Sequence, residues 1–199
     1  TNPTCKIALI TNDVVDDKYK VLYDHIVDIP WKDEAENSTW KIENRWKIYH
    51  ATPFDETAVI DTDMLFLSDI SHWYDLLKTK NVYYVNRVLT YRGEVADNTY
   101  YRKAFRNHNL PNLYAGFHWF KKSDQAHEFF KWVETIMHNW ELFYGQYAGG
   151  KYFQKWPSVD VSSAIAAKVL QCEDQITLKT SYPTFTHMKL HNQNWDKLW

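Results

Sequence analysis

Apolar positions along the chain fall into short runs separated by longer amphipathic stretches. Lys6–Asp13 is an apolar run closed by turn residues and predicts a buried strand followed by a loop. Asp16–Asp24 is polar and fits a short helix or turn. His25–Pro30 alternates and stops at proline, which predicts a second, shorter strand, and Trp31–Ser38 follows as a charged loop. Trp40–Thr52 carries Trp40, Ile42, Trp46, Ile48 and Tyr49 on a mixed apolar face and is stopped by Pro53, so it predicts a helix. Thr57–Ile60 is a buried strand running directly into Asp61-Thr62-Asp63, after which Met64–Leu67 is apolar again.

Further on, Ser71 is placed to cap a short helix bearing Trp73, Leu76 and Leu77. Asn81–Thr90 is β-rich. Tyr91–Pro111 shows no period and predicts a long loop, while Leu113–Phe120 predicts another strand. Ser123 caps the clearest helix, with Ala126, Phe129, Phe130, Val133, Ile136, Met137 and Trp140 at helical spacing. Gly145–Lys155 predicts a loop, Val159–Leu170 a helix, Ile176–Leu178 a short strand and His187–Trp199 a polar, aromatic tail. Strands alternating with helices predict an α/β fold with a largely parallel sheet. The 199 residues predict one domain, with no internal repeat and no linker.

Composition changes this picture in two ways. The 10 Trp, 14 Tyr and 10 Phe are an aromatic excess, and such rings stack on sugar faces and bases as well as filling cores. The net charge of −2 argues against bulk nucleic acid as a partner. Two cysteines far apart, Cys5 and Cys172, exclude a cysteine zinc site and fit a reducing, cytoplasmic setting. No apolar stretch has the length of a membrane span.

The candidate chemistry centres on Asp61-Thr62-Asp63. Ligands of open α/β sheets bind beyond the carboxyl ends of strands. Two carboxylates there offer hard oxygen ligands for Mn²⁺ or Mg²⁺ bridging to phosphate. Loop residues or helix caps are the ordinary use of such a pair, and a phosphatase of the haloacid-dehalogenase type also places Asp-x-Asp after a strand. Met64-Leu65 stands where such a phosphatase has a small pair.

The segment Phe54–Ile70, with Asp61-Thr62-Asp63 at its centre, resembles the Asp-x-Asp segment of glycogenin-like, lipopolysaccharide-galactosyltransferase-like enzymes of the GT-A fold. The resemblance implies a Rossmann-like mixed sheet flanked by helices and a nucleotide-diphospho-sugar donor, UDP-sugar favoured. It implies a carbohydrate or other hydroxyl acceptor, retention of anomeric configuration and Mn²⁺ or Mg²⁺ as cofactor. Arg45 matches a basic residue that points at the donor. Leu113–Phe120 resembles the strand lining the sugar pocket, which adds Tyr114, Ala115 and Gly116 to the donor site; the family has Asn where Tyr114 stands. Pro157–Ser163 resembles a helix start whose Asp contacts the transferring sugar, here Asp160, with Val161 in place of the family's Gln. Thr186–Trp195 resembles the closing segment that completes the metal site, so His187 joins Asp61 and Asp63 as ligands, with His191 as substitute. Lys189 is placed to reach the diphosphate and, with Asp160, to act in catalysis. Lys6–Asp13 resembles the family's second strand, not its first. The resemblance therefore implies one transferase-like domain over 1–199, truncated at its N-terminus and lacking the first strand–helix unit. The non-enzymatic alternative is a catalytically degenerate carbohydrate-binding or scaffold protein on the same fold.

Overall fold

The computed structural model describes residues 5–36, 41–62, 64–90, 92–96, 102–149, 154–179 and 183–186. In chain order the elements are β1 (Ala8–Ile10), α1 (Asp17–Lys20), β2 (His25–Val27), a 3-10 helix (Lys41–Lys47) running into α2 (Ile48–Ala51), and β3 (Glu56–Ile60). There follow α3 (Ser71–Leu77), β4 (Val82–Val85), α4 (Lys103–His108), β5 (Tyr114–Lys121), α5 (Asp124–His138), α6 (Trp140–Ala148) and α7 (Val159–Val169). The protein is a mixed α/β structure with two small sheets flanked by helices.

Strand direction corrects the expectation of a largely parallel sheet. Among the described strands β1 and β2 alone pair in parallel, with Leu9 opposite Ile26, and a single parallel bridge joins Leu89 to Thr186. The larger sheet has the order β3-β5-β4, and β5 runs antiparallel to both neighbours. The chain leaves β4 after Val85 and re-enters at Tyr114, its partner on β5, so no crossover is needed. An apolar run says that a strand is buried. It does not say which way the strand points.

β4 and β5 are buried on both faces, and their side chains divide between two apolar clusters. Val82, Tyr84, Ala115 and Phe120 face a cluster built from α5 and α7, including Phe129, Phe130, Val133, Ile136, Ala164 and Ile165. Tyr83, Val85, Tyr114, Phe117 and Trp119 face a second cluster with Trp73 and Leu77 of α3. In α7 the buried Ser162, Ser163, Ala164, Ala166 and Ala167 are small, which lets α5 approach closely.

Other elements depart from expectation for local reasons. The region 91–111 contains α4, which buries Ala104 and Phe105 and ends at Asn109 in the left-handed region (φ 52°). The stretch 145–155 begins inside α6, because Trp140, Tyr144 and Ala148 form a buried i, i+4, i+8 stripe across Gly145. Residues 176–178 form no strand; the Tyr84 amide donates to the Ile176 carbonyl at 2.8 Å, and ladder pairing stops there. The helix predicted over 40–52 is 3-10 for its first seven residues, Lys41–Lys47. Ser71 is the first residue of α3 rather than its cap, and Asp69 accepts from its amide at 2.8 Å. The apolar run after Asp61 is only partly core: Leu65 and Leu67 are 82% and 88% exposed. Among the described residues no helix is long and apolar enough to cross a membrane.

Ser123 does cap α5. Its Oγ accepts from the Ala126 amide at 3.2 Å, and Asp124 sits in the positive first turn. Ser123→Ala is expected to cost about 1 kcal/mol of stability in a denaturant titration. An unchanged midpoint would mean that the hydroxyl contributes nothing to the helix start.

Candidate functional site

The site is built around an interruption in β5. From Val82–Phe120 to Tyr84–His118 the β4–β5 register is regular, and then it jumps to Val85–Tyr114. Ala115, Gly116 and Phe117 are left without β4 partners. Unpaired backbone groups in a buried strand are costly, so other groups must satisfy them. The Ala115 amide donates to Asp160 Oδ1 at 2.8 Å, and the Ala115 carbonyl accepts from His118 Nδ1 at 2.9 Å. On the other edge, the Gly116 carbonyl accepts from the Asp61 amide at 3.1 Å.

Asp61 therefore sits where β3 ends, against the irregular part of β5. Its Oδ1 accepts from Arg45 Nη2 at 2.5 Å, and both side chains are largely shielded from solvent. A Cβ added at Gly116 would stand 3.2 Å from Asp61 Oδ2 and 3.7 Å from Met64 Cε. Glycine here lets the carboxylate approach without having to give way.

Arg45 is delivered by a firmly held 3-10 helix. Asn44 Nδ2 donates to Asp33 Oδ1 at 2.5 Å, Trp46 Nε1 donates to Glu34 Oε2 at 3.1 Å, and Lys47 Nζ donates to the Lys32 carbonyl. With three residues per turn, these contacts leave Arg45 facing the end of β3.

A second ion pair lies beside the first. Asp160, in the first turn of α7, accepts from Arg102 Nη2 at 2.8 Å through Oδ2. Its carboxylate is thus spent on Arg102 and Ala115 rather than on capping its own helix, whose N-cap is Ser158. Arg102 is buried, donates to the Leu113 carbonyl at 2.7 Å, and lies 3.4 Å over the Tyr114 ring. Tyr114 is itself buried and donates its hydroxyl to the Ala96 carbonyl.

His118 completes the floor. It stacks on Tyr84 at 4.8 Å between ring centroids, with the two planes nearly parallel. Burial pushes its pKa down from 6.5 to about 4; the bond to Ala115 opposes the shift, nearby Arg45 adds to it and Asp160 opposes it. Burial likewise pushes the Tyr84 hydroxyl up, and Ser163 Oγ donates to it at 3.0 Å.

The structure thus brings together Arg45, Asp61, Ala115, Gly116 and Asp160 from the sequence expectations. Thr62 is exposed in the turn after Asp61, and Tyr114 serves the core. Asp63, His187, Lys189 and His191 lie outside the described residues. Among the described residues no three His, Cys, Asp or Glu side chains cluster as a metal site. Of the three expected metal ligands Asp61, Asp63 and His187, Asp61 alone lies among the described residues. Two members of the constellation, Arg102 and His118, are not among the sequence expectations. Arg102 lies in a stretch without period and carries no local signal; His118 is the one histidine inside the apolar run Leu113–Phe120.

A groove of about 620 Å³ lies at the other end of β4 and β5, lined by Lys80, Gln125, Glu128, Cys172 and Asp174 among others. Lys80 Nζ is already committed there to the carbonyls of Gln175 (2.7 Å) and Thr177 (2.9 Å). Converging charges and a glycine approach mark the Asp61 end instead.

A histidine held neutral in the fold binds fewer protons than the unfolded chain between pH 4 and 6.5. Stability therefore rises with pH across that window and is lost as pH falls through it, by on the order of a few kcal/mol for His118. His50 is shifted down in the same sense by burial. His118→Phe is expected to flatten, without abolishing, the slope of denaturation midpoint against pH from 6.5 to 4. An unchanged slope would remove His118 as its source.

Compared with known proteins, the chain matches no protein-family model, no curated protein and no solved structure.

Proposed function

We propose that the chain is a metal-dependent glycosyltransferase. It moves a sugar from a nucleotide-diphospho-sugar, a UDP-sugar in the first instance, to a hydroxyl of a carbohydrate or other acceptor. One observation carries the reading. Arg45, Asp61, Gly116 and Asp160 come from four separated segments, and they form one contiguous constellation at the end of β3.

Each side chain has a task in that reaction. Asp61 would hold Mn²⁺ or Mg²⁺, with Asp63 and His187 as the further ligands. Such an ion neutralises charge building on a departing diphosphate. Arg45 can exchange its bond to Asp61 for phosphate oxygens, which its planar guanidinium suits. Gly116 keeps the floor beside Asp61 free of side chain. Asp160 uses one lone pair of each oxygen on Arg102 and Ala115, which leaves acceptor capacity for a sugar hydroxyl. Lys189 would add a second positive charge at the diphosphate.

One observation favours a second reading, a carbohydrate-binding or scaffold protein without turnover. Arg45 already occupies an oxygen of the carboxylate that the ion requires.

Thermal-shift titration with UDP and with GDP, each with and without Mn²⁺, separates the two. The transferase reading expects a rise in Tm that needs both UDP and Mn²⁺, because a ligand binding only the native state stabilises it. A rise with neither nucleotide in the presence of Mn²⁺ would overturn it.

Gly116→Ala makes a sharper test. The added methyl forces the Asp61 carboxylate to give way by a few tenths of an ångström. Tm is expected to stay within about 5 °C of the parent, while turnover of the donor falls roughly tenfold or more. Unimpaired turnover would show that the Asp61–Gly116 contact plays no part in the reaction.

A further inference from the structure

Three successive residues, Leu113, Tyr114 and Ala115, are tied to a single guanidinium, the first two directly and the third through Asp160. Arg102 Nη1 donates to the carbonyl of Leu113 at 2.7 Å. Its Cζ lies 3.4 Å from the ring centre of Tyr114. Its Nη2 donates at 2.8 Å to Asp160, whose other oxygen takes the amide of Ala115 at 2.8 Å. The next residue is Gly116, whose carbonyl takes the Asp61 amide.

We propose that Arg102 is a positioning residue. Acting through Asp160, it fixes the backbone at 113–115 and so sets where Gly116 stands against Asp61. Among the described residues Arg102 meets Leu113, Tyr114, Phe105 and Asp160, and of these only Asp160 has a task at the substrate in the proposed reaction, so its influence is exerted through that carboxylate. The competing view is that Arg102 simply neutralises a shielded aspartate. A lysine would satisfy that need equally well. Holding a carbonyl, a ring face and a carboxylate at once requires a planar fork of donors, and an ammonium on a flexible stem does not provide one.

The distinguishing variant is therefore Arg102→Lys, which keeps the charge and removes the fork. Its first readout is hydrogen exchange of the Ala115 amide in the full-length, ¹⁵N-labelled chain without ligand. Exchange at Ala115 is expected to quicken about tenfold or more, while the α5 amides of Val133 and Ile136 stay within about twofold of the parent. Unchanged exchange at Ala115 overturns the proposal. So does acceleration at Ala115 and α5 together, which would mark a general loss of stability.

The second readout rests on the transferase reading. With a panel of UDP- and GDP-sugars and Mn²⁺, Arg102→Lys is expected to lower kcat by roughly 10- to 100-fold and leave KM within about threefold. Adding Arg102→Lys to Asp160→Asn should lower kcat no further than Asp160→Asn alone, because both changes act on one unit. Independent, multiplying losses would overturn action through Asp160. A parent protein that turns over no donor sinks the transferase reading, and the exchange comparison still decides the role of Arg102.

Discussion

The structure turns on the break in β5 between Tyr114 and His118. A strand buried on both faces cannot leave amides and carbonyls unpaired without large cost. The jump in register against β4 creates such a deficit at Ala115. Asp160 and His118 repair it from two directions, one from α7 and one from within the strand. The break also changes the side-chain alternation. Tyr114 and Phe117 both face the α3 side although three positions separate them. That extra residue puts a glycine at the carboxylate of Asp61. Repair of the backbone and construction of the site are therefore one event.

Charge follows from the same constraint. Bringing Asp160 to the Ala115 amide shields an anion, and Arg102 accompanies it. Setting Asp61 at the end of β3 shields another, and Arg45 accompanies that one. The two pairs differ in freedom. Arg102 is buried and meets a carbonyl, a carboxylate and two ring faces, whereas Arg45 is about a third exposed and meets Asp61 through a single bond. With one bond and the more open cation, this is the pair that a competing anion or cation would take apart more readily. The pair at Arg102 is the one built to stay.

Much of this is legible in the amino-acid sequence alone, and the limits have physical causes. The strand ending at Asp61 and the Ser123-capped helix rest on local pattern, and the interest of Gly116 and Asp160 on the family resemblance. The direction of β5 does not, because burial is the same for either direction. Helix α6 is hidden by Gly145, which punctuates the sequence although a Cβ there would meet nothing. Its stripe of Trp140, Tyr144 and Ala148 is nonetheless present in the pattern. Helix α4 buries only Ala104 and Phe105, too few positions to show a period. Arg102 precedes it and owes its importance to Leu113, Tyr114 and Asp160, contacts that exist only after folding.

The distribution of rigidity then bears on what the site could do. On one side of Gly116 the backbone is held by a buried guanidinium, a stacked Tyr84–His118 pair and α7. On the other, Asp61 ends β3, an outer strand of its sheet, and is followed by Leu65 and Leu67 facing solvent. On the transferase reading proposed above, a site for a bulky anionic donor needs a fixed floor and a wall that can yield, since only the yielding side can exchange an internal ion pair for an external one. The fixed floor here is β5 with Arg102 and Asp160. The yielding wall would be Arg45 with Asp61, and the single hydrogen bond between them is the contact that the metal and diphosphate of the proposed reaction would have to replace.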